Sequence, residues 1–278
     1  MATTETDARA AGLNPSAFSE IMPRLRKPII VLGLVALWEA WVRLFDVPEL
    51  LFPAFSDVLV ALITGLGIGG EPILWAYTWQ TLSVVLQAYV VSVVLAVVLT
   101  GFAINSAWGK ELLSTVTGIF QPLPSIALLP MAVLWFGFSK ESLIFVVVMS
   151  MVWPLAASLT VGFATVPPTL LRLGRNYELS RLGAMWHILL PSALPAMIGG
   201  LRVGWGFGWR TIVAAELVFG ATGNDSGIGW YINNSRVFLQ ITEGFAGILV
   251  VVIIGFITES LFRVIQRFTT HRWGMEAA

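Results

Sequence analysis

Charge, histidine and cysteine are what this chain has least of. Charged residues fill 12% of its 278 positions, against about 25% in a soluble globular domain, so the composition excludes a water-soluble fold. Cysteine is absent, which removes disulfide frameworks and thiolate metal sites. With two histidines in the whole chain, no metal site is expected. The formal net charge is zero, leaving no basic footprint for nucleic acid. There is no Walker A pattern, so the chain is not expected to hydrolyse ATP itself. No cluster of nucleophile, base and metal ligands appears either, which argues against an enzyme. The opening MATTETDARAAGLNPSAFSE has neither an apolar core nor a cleavage-like site and reads as a polar tail rather than a signal peptide.

What is abundant is apolar sequence, at 57% of residues. A membrane-spanning helix needs about 20 mostly apolar residues. Six stretches qualify, at about 29–46, 81–104, 112–136, 142–166, 192–218 and 244–266. Between the first two, FPAFSDVLVAL reads as a short amphipathic helix lying along the membrane surface. Lysine and arginine set the orientation. Arg9, Arg24, Arg26, Lys27, Lys110, Arg172, Arg175, Arg181, Arg263, Arg267 and Arg272 fall on one side, against Arg43, Lys140 and Arg236 on the other. The expectation is an all-α integral membrane protein with both termini in the cytoplasm. Residues 1–27 would be a flexible cytoplasmic tail and 269–278 a cytoplasmic C-terminal tail, flanking a six-helix domain over 28–268.

The fifth stretch, GGLRVGWGFGWRTIVAAELV, places ionic groups where they cost most. At 3.6 residues per turn, Gly200, Gly204 and Gly208 share a face, and small residues four apart let helices approach closely in lipid. A neighbouring stripe carries Arg202, Trp205, Trp209, Ile212 and Glu216. An unpaired charge in hydrocarbon costs at least about 2.5–3.5 kcal/mol, so this stripe should face protein or a water-filled pathway. Arg202 lies near the cytoplasmic end, where it either snorkels or lines the route. Glu216, near the outer end, is either a gate or half of an ion pair. Arg210 falls mid-span, about 12 Å from Arg202 at about 1.5 Å per residue. It either pairs with an acid such as Glu39 or Glu259 or lends positive potential to an anion pathway. Trp135, Phe136 and Phe138 read as an interfacial aromatic belt.

Between the fourth and fifth stretches lies TVPPTLLRLGRNYELSRLGAMWHILLPSALP. Pro167 and Pro168 should stop one span, and Pro191 and Pro195 should open the next. The interior has helical spacing and predicts two short helices on the cytoplasmic face, either a docking surface or an ordinary interfacial loop.

This stretch, ending in LLPSALPAMIGGLR, resembles the EAA coupling segment of type I ABC importer permeases. FQPLPSIALLPMAVLWFGFSKES and GLRVGWGFGWRTIVAAELV followed by GIGWYI resemble the taurine, sulfonate and nitrate-type members. Aligned back from Pro191, the family's Glu-Ala-Ala falls on Arg172, Leu173 and Gly174 and its glycine on Glu178. Leu179, Ser180, Arg181, Trp186, Leu190 and Pro191 match the later part. Arg210 stands where the family usually has a small residue, and Asn224-Asp225-Ser226 lengthen the loop before Gly227.

The resemblance implies a bacterial inner-membrane permease subunit whose 165–191 segment couples to a partner ATPase. It also implies a homodimer with two ATP-binding subunits, which carry ATP and Mg, so that no cofactor is held by this chain. A periplasmic or lipid-anchored solute-binding protein would deliver a small anion: a sulfonate such as taurine, nitrate, or a carboxylate or aromatic acid. The rival is a self-contained secondary transporter of small anions, which often shows repeat symmetry; no internal repeat is visible.

Overall fold

The computed structural model describes residues 15–219 and 226–272; side chains are described from residue 26, except at 181, 182 and 270–272. The described residues form helices and no strands. In chain order these are α1 (Pro15–Leu44), α2 (Phe55–Gly65), α3 (Ile73–Asn105), α4 (Ala107–Phe120), a 3₁₀ turn (Ser125–Leu128) and α5 (Leu129–Phe136). There follow α6 (Lys140–Ala164), α7 (Pro168–Asn176), α8 (Arg181–Ala184), a π turn (Met185–Leu189), α9 (Leu190–Phe219), α10 (Ile228–Val237) and α11 (Ile241–Arg272).

Among the described residues, four helices are long and apolar enough to cross a membrane: Ile73–Asn105, Lys140–Ala164, Met185–Phe219 and Ile241–Thr269. These coincide with the second, fourth, fifth and sixth stretches read from sequence. The third differs. It is split into Ala107–Phe120 and Ser125–Phe136, bent by 87°. Pro122 and Pro124 supply the cause, because each removes a backbone donor and its ring crowds the preceding turn. The first stretch lies in α1, which carries Lys27, Glu39 and Arg43 and is not among the four. Residues 15–27, read as flexible tail, are helical. The remaining tail residues, 1–14 and 273–278, lie outside the described residues.

The core forms around α6, whose Val146, Val147, Met151, Leu155 and Ala156 are buried. It packs on α3 and α9, with Val85, Ala88, Trp205, Trp209 and Ile212 in the same cluster. The glycine face of α9 makes that contact possible. A Cβ on Gly200 would stand 2.5 Å from Ser158 Cβ, and one on Gly204 2.7 Å from Leu155 Cγ. One on Gly208 would run into the Met151 side chain. The three partners step back along α6 as α9 advances, as antiparallel helices require. A second cluster joins Val58 and Leu62 of α2 to Leu74, Ile228, Ala246 and Val250.

The segment after α6 differs from two separate surface helices. Only α7 stands alone; α8 runs through the π turn into α9, so Pro191 lies on the second residue of α9 and Pro195 inside it. Ser180 opens this long helix, its Oγ accepting the Gly183 N–H at 3.1 Å, the N-cap role for which serine suits.

Candidate translocation site

The break between α4 and α5 leaves Gln121, Pro122, Leu123 and Pro124 exposed on the surface of the chain. At about 1.5 Å per residue, this break lies about 16 Å along α4 from Lys110, half the about 30 Å hydrocarbon thickness. Beside it is a cavity of about 330 Å³, walled by Gln121, Ser125, Ser150, Trp153, Arg210 and Thr211 among others. Three elements build it: the broken turn, the middle of α6 where Pro154 interrupts the helical ladder, and α9.

Arg210 is exposed on α9 and reaches this cavity. The ion pairs among the described residues are Arg43–Glu39, Arg43–Asp57 and Arg202–Glu259, so Arg210 is in none of them. Neither acid considered as its partner is free. Glu39 accepts from Arg43 Nε at 3.1 Å and from Ser56 Oγ at 2.9 Å. Glu259 holds Arg202, whose Nε lies 3.0 Å from one carboxylate oxygen, whose Nη2 contacts the other, and whose Nη1 lies 3.4 Å from Gln266 Oε1. Arg202 thus ties α9 to α11.

Glu216 sits away from the cavity. It is buried, at 3% exposure, and accepts the Thr81 hydroxyl at 2.8 Å and the Gly229 N–H at 2.9 Å. Thr81 Oγ1 accepts the Ile228 N–H at 2.8 Å in turn. The carboxylate therefore fastens the C-terminal end of α9 to α3 and to the first turn of α10, where backbone donors lack helical partners. A Cβ at Gly227 would strike this carboxylate, which explains the glycine ahead of α10. Trp205 and Trp209 are buried against the core, with Trp205 edge-on to Tyr89 at 5.4 Å. The stripe read from sequence therefore separates into packing residues (Trp205, Trp209, Ile212), an interhelical ion pair (Arg202) and a buried fastening (Glu216). Arg210, which lies off that stripe, faces the cavity, and Arg202 keeps 34% of its side chain exposed.

At the other end of α9, α7 buries Gly174 alone. A Cβ there would stand 2.6 Å from Ile188 Cδ1, so the small residue lets α7 lie close against the π turn. Arg172, Leu173 and Leu179 are exposed, as are Tyr177 and Trp186. Glu178 takes the left-handed backbone, φ 51°, a conformation that favours glycine. The backbone of Arg181 opens α8, while Leu190 and Pro191 are half-buried at the start of α9. Asn224 and Asp225 lie outside the described residues. No group of metal-binding side chains occurs among the described residues.

Sequence reasoning missed Gln121, Ser150 and Trp153. The signal was the Gln-Pro-Leu-Pro run, two prolines and an amide inside an apolar stretch.

Among the described residues, four helices long and apolar enough to cross a membrane, with a cavity against the broken turn, are the architecture of an integral membrane protein. Residues 92–271 match the binding-protein-dependent transport system inner membrane components. The chain is 32% identical over 242 residues to the taurine transport system permease protein TauC of Escherichia coli, covering 85% of this chain and 86% of that protein. It is 32% identical over 194 residues to the nitrate import permease protein NrtB of Leptolyngbya laminosa, covering 65% and 67%. A chain of the inward-facing MetNI methionine ABC transporter shares the fold with a TM-score of 0.60 at 17% identity, over 72% of this chain and 99% of that chain. The chain belongs to the family of binding-protein-dependent transport system inner membrane components, the multi-pass permeases of ABC importers.

Proposed function

We propose that this chain is the pathway-forming subunit of an ATP-driven importer of a small anion. It works as a homodimer, bound on the cytoplasmic side by two ATP-binding subunits that carry ATP and Mg. A periplasmic or lipid-anchored solute-binding protein supplies the cargo from outside. The chain crosses the membrane six times, by α1, α3, the broken α4–α5 pair, α6, α9 and α11, with both termini in the cytoplasm. The bias of lysine and arginine supports this orientation. The sulfonate and nitrate relatives support an anionic cargo.

The observation that carries the reading is the exposed break at Gln121–Pro124. Non-helical backbone at membrane depth is tolerated only against protein or a water-filled cavity, so this face cannot meet lipid. A second copy across a two-fold axis covers it and encloses the Arg210 cavities of both copies in one pathway. Closure of the ATP-binding subunits would draw the two 165–191 segments together. Arg172, Leu173, Gly174, Glu178, Leu179, Ser180, Arg181, Leu190 and Pro191 form or position the contact, and α8–α9 transmits the movement as one continuous helix.

Because the chain lacks cysteine, Leu123→Cys introduces a single thiol at the break. In native membranes, mild oxidation should convert this variant to a disulfide-linked dimer, while Val97→Cys on the exposed face of α3 stays monomeric. An uncrosslinked Leu123→Cys chain would refute the dimer face.

A further inference from the structure

The cavity beside Arg210 is not alone. A second, of about 350 Å³, lies along α4 and the later half of α6, walled by Lys110, Ser114, Thr117, Gln121 and Thr160 among others. Gln121 is a wall of both cavities. Ser114 and Thr117 on α4 and Gln121 just past its end follow one another at helical spacing, so the polar groups form a stripe rather than a scatter.

Two features separate this stripe from ordinary packing. Among the described residues, three buried side-chain donor or acceptor atoms lack a hydrogen-bond partner: Thr117 Oγ1, Trp153 Nε1 and Trp205 Nε1. Two of those three belong to residues that wall these cavities, Thr117 the second and Trp153 the first. A buried polar group left unpaired costs about 1–3 kcal/mol; both atoms are covered by protein, so each meets an acceptor in its cavity only when its side chain turns toward it. The indole N–H is donor only, and the hydroxyl and amide can donate. The second feature is charge. The two walls contain Arg210 and Lys110 and no carboxylate.

We propose that the two cavities are successive resting places for a small oxyanion on its way inward. At the first, Arg210 supplies charge and the Trp153 indole a hydrogen bond. The Gln121 amide hands the anion to the second, where Thr117 and then Lys110 receive it. The inference rests on the importer reading and adds the residues that select the cargo. Cargo is chosen here by donors and positive potential, so planar and tetrahedral oxyanions both qualify and an organic cation does not.

The absence of native cysteine makes a direct test available. Ser114→Cys, Thr117→Cys and Ser150→Cys are introduced singly into the full chain. Each is exposed in membrane vesicles, from either side, to a sulfonate-bearing methanethiosulfonate and to its trimethylammonium counterpart. Both reagents transfer their thio group to a cysteine thiolate and release methanesulfinate, so their rates report water access and local potential without knowledge of the natural cargo.

Relative to the same pair of reagents on a free thiol in solution, the anionic reagent should be favoured about tenfold or more, the scale of electrostatic focusing in a charged cleft. Arg210→Ala should collapse the preference at Ser150→Cys, and Lys110→Ala the preference at Ser114→Cys. Val97→Cys, on an exposed face of α3, should stay unlabelled. Unreactive stripe positions would overturn the route; equal reaction with both reagents would overturn its anion selectivity. The labelling needs no ATP-binding partner, so it can fail while the importer reading survives, and the reverse.

Discussion

Arg210 stands in no ion pair among the described residues, although it lies within electrostatic reach of Glu259, which gives its replacement a clear expectation. Hydrogen bonds to a charged group are worth about 1.5–3 kcal/mol, hence about ten- to hundredfold in rate. Arg210→Ala should lower anion uptake by that factor while membrane level, assembly and basal ATP hydrolysis persist. Arg210→Lys should recover part of it, because the charge survives while the planar fork is lost. Neutralising Glu259 should not rescue Arg210→Ala, since that carboxylate already holds Arg202. Rescue would show that Arg210 is structural. Glu216 should behave in the opposite way. Its truncation strands the Gly229 N–H, at about 1–3 kcal/mol, and leaves the Thr81 hydroxyl only the longer bond to the Tyr77 carbonyl, at 3.4 Å. Thermal unfolding of purified Glu216→Ala protein should fall accordingly, and an unchanged midpoint would remove the fastening role. Glu178 holds a backbone conformation costing about 1–3 kcal/mol for a residue other than glycine. Glu178→Gly should therefore raise the unfolding midpoint of the same protein; a lower midpoint would mean that the glutamate side chain contributes more than its backbone costs.

At the scale of helices, α9 and α6 depend on close approach. Gly204→Leu would drive a side chain into Leu155, whose Cγ already stands 2.7 Å from the site of a Cβ. Overpacking costs about 1–3 kcal/mol or more, so the yield of folded protein should drop; normal yield with normal uptake would contradict the packing. The long spans were legible because an apolar run of about 20 residues has one meaning in a membrane protein, and the glycine face because period 3.6 places Gly200, Gly204 and Gly208 together. The broken third span was not, since an apolar average over 112–136 conceals two prolines. The π turn was hidden for a related reason: Pro191 and Pro195 mark a helix start equally well when a helix already precedes them. Partnerships across helices were hidden too. Spacing places Arg202 and Glu216 on one stripe, but it cannot reveal that Glu259 comes from α11 to meet the first or that Thr81 comes from α3 to meet the second.

For the whole molecule, the proposed function makes one chain half of a device. The proposed pathway face is exposed at Gln121–Pro124, the proposed cytoplasmic face carries exposed Leu173, Tyr177 and Trp186, and the sequence has no ATP-binding pattern of its own. The most direct measurement is the mass and activity of the intact assembly, gently extracted from its native membrane by a tag on this chain. The account predicts a complex of two copies of this 30.3 kDa chain with two ATP-binding subunits, hydrolysing ATP faster when the cargo-loaded binding protein is added. A single copy free of any ATP-binding subunit, yet still moving anions across a vesicle membrane, would contradict it.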